Sequence, residues 1–131
     1  MKIKTELFVL FFIIIFLFCS QKTNRTNPNP DLTKIHFDLT MLNDEGLYGA
    51  PDGLQALSYE FCIPAEEQLV AEIQSIDSTI IIYKNAPGRI GCSEGEYLCI
   101  GNTHQKNYSE VLRKLVGLEY IRKIEQSFFE N

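Results

Sequence analysis

Cys19, Cys62, Cys92 and Cys99, with His36 and His104, are the side chains of this sequence suited to nucleophilic, redox or metal-binding work. A thiolate can attack an electrophile or join a second thiol in a disulfide, and a nearby imidazole can take the proton. Cys92, Cys99 and His104 lie close together, in or just after the stretch from Arg89 to Thr103, RIGCSEGEYLCIGNT. Thiol-dependent catalysis by Cys99 or Cys92 with His104 is therefore the sharpest enzymatic reading. Five residues across a strand end do not oblige Cys99 and His104 to converge, and an exposed loop histidine is the commoner outcome. No close CxxC or HxxxH pair exists, so neither a metal centre nor a cofactor is expected. The acidic stretch with Asn43, Asp44, Glu45 and Asp52 does not match the spacing of an EF-hand loop.

Composition limits what these groups can serve. A chain of 131 residues, 45% hydrophobic and 22% charged, suits one small domain with a modest core. Its net charge of −5 supplies no basic face and argues against nucleic-acid binding. The charge is uneven. Residues 31–77 carry ten acids and one base, for −9, whereas residues 78–131 carry six acids and seven bases, for +1. An acidic face of that kind solubilises a protein and could also steer a protein partner with a basic surface.

The N-terminus gives the chain an address. Lys2 and Lys4 precede an unbroken apolar run of twelve residues, Leu7 to Phe18, which ends at Cys19. That length suits a secretory h-region and falls short of a membrane span, so the remainder is expected to be exported. Phe16-Leu17-Phe18-Cys19-Ser20, followed by the polar Gln21-Lys22-Thr23-Asn24, resembles a bacterial lipoprotein signal peptide. It departs from that pattern at Phe18, where such signals carry a small residue. The resemblance implies lipidation of Cys19 and attachment to a cell-envelope membrane through acyl chains. The domain boundaries follow: a signal peptide over 1–19, a flexible Asn-, Thr- and Pro-rich tether over 20–34, and a single α+β domain over 35–131.

Within that domain the hydrophobic period switches repeatedly. Alternation from Ile35 to Met41 predicts a strand, and Pro51-Asp52-Gly53 predicts a turn. Leu57 to Ile63 alternates again; Pro64 to Ile76 has helical spacing; Thr79 to Tyr83 and Glu96 to Gly101 read as strands. Asn107 with Glu110 predicts a capped helix start, and Gly117 a left-handed helix end. Tyr120 to Phe129 closes the domain as a charged edge strand. The order from Leu57 onwards resembles the ferredoxin-like βαββαβ arrangement. It implies a four-stranded antiparallel sheet with both helices on one face, plus Ile35 to Met41 as an extra N-terminal strand. No phosphate-cradling loop of the acylphosphatase kind follows the first core strand, and the arrangement alone specifies no activity.

The resemblance also places the cysteines. It makes the strands of Cys62 and Cys99 neighbours, and both thiols fall opposite in parity to the strands' apolar residues. Cys62 is then positioned to meet Cys99, or Cys92 at the turn before that strand, leaving one cysteine unpaired. An exported protein favours such a disulfide. Arg89 at one end of the Glu96 to Gly101 strand, and Asn102, Thr103 and His104 at the other, remain as exposed polar candidates for binding. The sequence thus points to an exported, lipid-anchored interaction or ligand-binding module, with the thiol enzyme as the alternative.

Overall fold

The computed structural model describes residues 29–128. Cys19, the apolar run before it and the tether up to residue 28 lie outside the described residues. Eight regular elements follow two 3-10 turns: β1 (Leu47–Tyr48), β2 (Gln55–Ala56), β3 (Ser58–Pro64), α1 (Glu67–Ile76), β4 (Ile81–Tyr83), β5 (Glu96–Asn102), α2 (Tyr108–Val116) and β6 (Glu125–Ser127). They form a mixed α+β domain with a four-stranded and a two-stranded antiparallel sheet.

The larger sheet has the order β4-β5-β3-β6. Its central strand β3 owes its place to alternation: Tyr59, Phe61 and Ile63 are each fully buried on one face. They share a core with Val70 and Ile73 of α1 and Leu112, Leu115 and Val116 of α2. Each large apolar side chain buried there contributes about 1.5–3 kcal/mol. Phe37, Tyr59 and Phe61 stack in sequence with ring centroids 6.5 Å apart.

The segment expected to be a strand from Ile35 to Met41 is not one. Two 3-10 turns, Leu32–Lys34 and Leu39–Met41, occupy the region instead. The cause is a repeated Asp-Leu-Thr. Asp31 Oδ1 accepts the backbone N–H of Thr33 at 3.0 Å, and Asp38 Oδ1 accepts that of Thr40 at 2.8 Å. Such local bonds satisfy the backbone without a strand partner. Ile35 alone bridges to Ile124, in parallel. Just before Ile35, Lys34 donates from Nζ to the carbonyls of Val116, at 3.1 Å, and Leu118, at 3.3 Å. A cation there complements the carbonyl end of α2.

The ends of α2 also differ from expectation. Asn107 adopts a left-handed conformation, φ 55°, and its side chain makes no capping bond. Asn tolerates that conformation better than most residues, so it supplies a bend where a cap was expected. Gly117 stays right-handed, φ −71°, because the chain turns on through Leu118 into the core.

The register corrects one of the two pairings drawn for Cys62. Phe61 lies opposite Cys99, and Cys62 opposite Leu98. Directly opposed residues share a face, so Cys99 points to the helices and Cys62 away from them. Cys62 is bonded to Cys92, and Cys99 is free and buried. Parity misled because β5 is apolar on both sides: Leu98, 3% exposed, lies on the helix-free face under the segment between β4 and β5.

Candidate functional site

That segment, residues 84–95, is what distinguishes the helix-free face. The disulfide ties it to β3. Glu60, 2% exposed on the same face, accepts the backbone N–H of Ile90 at 2.6 Å and the hydroxyl of Ser127 at 3.0 Å. Gly88 allows the close approach: with φ 64°, a Cβ there would stand 2.8 Å from Leu98 Cδ1. Cys92, Cys62 and Leu98 form a small second core, with Ala86, Ile90 and Ile100 packed against it.

Two cavities flank the disulfide. A cleft of about 360 Å³ is lined by residues 84–87 and 92–96, including Cys92. A smaller cavity of about 30 Å³ is lined by Cys62, Ile90, Gly91, Arg122 and Lys123. The cleft is polar and charged. Lys84 Nζ lies 2.6 Å from Glu67 Oε1 and 5.4 Å from the centroid of the Tyr97 ring. Glu96 accepts the hydroxyl of Ser93 at 2.7 Å and its N–H at 3.0 Å, and pairs with Arg122 at 3.0 Å. The Ser93 hydroxyl, then its backbone N–H, hold the Glu96 carboxyl below its ordinary range against the effect of burial; Arg122 adds to them. Glu94 is exposed beside it.

The residues singled out from the sequence fall in different places. Asn102, Thr103 and His104 stay together on the turn after β5. Asn102 Oδ1 accepts the N–H of His104 at 3.0 Å, and His104 is exposed. Thr103 is fully buried: its hydroxyl donates to the carbonyl of Gly46 and accepts the N–H of Leu57 at 3.0 Å, so it joins elements rather than facing a ligand. Arg89 lies on the other loop, exposed, with its guanidinium carbon 5.9 Å from the centroid of the Phe128 ring. Cys99 is 0% exposed, and burial pushes its thiol up to about 12. Cys92 is held in the disulfide. Neither thiol is thus a free, exposed nucleophile for His104.

Two buried carboxylates carry interactions that sequence reasoning did not assign. Besides Glu60, there is Asp77, fully buried at the end of α1. Tyr59 donates its hydroxyl to Asp77 Oδ2. Asp77 Oδ1 accepts the N–H of Thr79 at 2.8 Å, its hydroxyl at 2.7 Å, and Gln105 Nε2 at 3.0 Å. Gln105 also donates to the carbonyl of Asn102 at 2.8 Å, so the network underlies the Asn102–His104 turn. Burial, then Asp77, push the Tyr59 phenol far above its usual range. The signal available in the sequence was Asp-x-Thr, which recurs at Asp31, Asp38 and Asp77 and makes the same turn each time.

Among the described residues no group of three or more His, Cys, Asp or Glu could hold a metal ion, and no helix is long and apolar enough to cross a membrane. No protein-family model, curated protein or solved structure matches this chain.

Proposed function

We propose that this chain is an exported, lipid-anchored protein of a bacterial cell envelope, and that its α+β domain is an interaction or ligand-binding module. The observation that carries the reading is the Cys62–Cys92 disulfide. Such bonds persist in oxidising compartments, and the apolar run ending at Cys19 supplies a route to one. The sheet order β4-β5-β3-β6, with α1 and α2 in one core, supports a ferredoxin-like arrangement, a scaffold that leaves one sheet face open to elaboration. Here the elaboration is the 84–95 segment with its charged cleft. The partner proposed is a protein with a basic surface, which the excess of acids over residues 31–77 would steer toward the domain. Anchoring at Cys19 places the membrane beside the domain without a spanning helix.

Mass spectrometry of the mature protein from bacterial membranes tests this. The expected product begins at a Cys19 carrying acyl chains and retains the disulfide. An intact leader with unmodified Cys19, or a fully reduced protein recovered from the cytoplasm, would overturn the reading.

A further inference from the structure

We propose that the Cys62–Cys92 bond is a thiol–disulfide exchange site at which Cys92 is attacked and Cys62 leaves, the reagent being a protein dithiol. This inference stands on the geometry around the bond and does not rest on lipid anchoring. The two cysteines border different cavities: Cys92 lines the larger cleft, and Cys62 lines the smaller cavity with Arg122 and Lys123. A thiolate must approach one sulfur along the line of the bond, opposite the sulfur that departs. The larger cleft admits a nucleophile to Cys92. The cavity on the Cys62 side, about 30 Å³, has room for about one water and not for a thiol reagent, so Cys62 is the sulfur that departs.

The exchange balances without any further oxidant. The reagent's first thiolate forms a bond to Cys92 Sγ, and the Sγ–Sγ bond breaks with its electron pair left on Cys62, which then takes a proton from water. The reagent's second thiolate attacks its own sulfur in the mixed disulfide. Cys92 departs as a thiolate and is protonated. Two electrons pass to the protein, and the reagent becomes a disulfide. The consequence is conformational. With the bond cut, residues 84–95 are held by the Glu60 to Ile90 hydrogen bond, the Gly88 packing on Leu98 and the Ala65 N–H bond to the Gly95 carbonyl at 2.8 Å, and the second core beneath them can open between these ties.

The test uses the folded, oxidised chain and cysteamine as a monothiol probe, with acid quenching and peptide mapping. The expected first adduct sits on Cys92, with Cys62 free to be alkylated; an adduct on Cys62 instead overturns the assignment. Reduction by dithiothreitol is expected to proceed at a rate independent of urea below the unfolding transition. A rate that climbs steeply with urea from the lowest concentrations would mean that the bond reacts only in unfolded chains, and would overturn the proposal.

Discussion

Cys99 lies opposite Phe61 in the β3–β5 pairing, so a single step of register decides its chemistry. Turned to the helices, the thiol is shut away from water and its ionisation is pushed up to about 12. Near neutral pH almost none of it is thiolate, and no reagent can reach it. In folded, oxidised protein Cys99 should therefore resist iodoacetamide at mildly alkaline pH and react once guanidinium unfolds the chain. Quantitative labelling of Cys99 before unfolding, read by peptide mass, would restore the thiol enzyme as a reading. The sequence could not decide the direction of this side chain. Tyr97, Leu98, Cys99 and Ile100 are apolar or amphipathic without interruption, a pattern that marks a strand covered on both sides and carries no parity.

At the scale of elements, patterning identified what packs regularly and misread what is held by local polar bonds. β3, α1 and α2 appear where period two or period 3.6 placed them, and β4 and β5 where short β-branched or apolar runs did, because their apolar residues supply the core. Ile35 to Met41 alternates as cleanly as β3, yet Asp31 and Asp38 accept the backbone N–H groups of Thr33 and Thr40 and hold the chain in turns there. The β1–β2 hairpin depends on a similar local device. Gly46 has φ 74°, and a Cβ there would lie 1.8 Å from the carbonyl oxygen of Thr103. Thr103 in turn donates its side-chain hydroxyl to the Gly46 carbonyl, so the chain entering the hairpin is tied to the turn after β5. Gly46→Ala combines an unfavourable left-handed conformation with that collision, and is expected to destabilise the domain by at least about 2 kcal/mol. Urea unfolding monitored by circular dichroism measures it. A midpoint unchanged from that of the parent would show that the hairpin does not dock there.

For the molecule as a whole, the loop between β4 and β5 acts as a layer. The order of strands and helices was legible from the apolar patterning, but this layer was not, because residues 84–95 have no period and reach the sheet through Gly88, a buried carboxylate and a disulfide. Its coverage leaves the sheet with unequal edges. At β6, Glu125 is paired with Lys123 at 2.8 Å and His36 at 3.6 Å, and Ile35 bridges the neighbouring Ile124, so charge and chain both guard that side. At β4, Ile81 and Tyr83 project from the helix-free face 56% and 39% exposed, and the layer stops short of them. Exposed β-branched and aromatic residues on an edge strand form a template for unwanted pairing when the protein is concentrated or warmed. Ile81→Lys places a charge on that edge while removing little buried surface. It should leave the melting temperature close to that of the parent and raise the temperature or concentration at which light scattering begins. If scattering begins under the same conditions in both proteins, aggregation does not start at β4, and the β6 side becomes the edge to test.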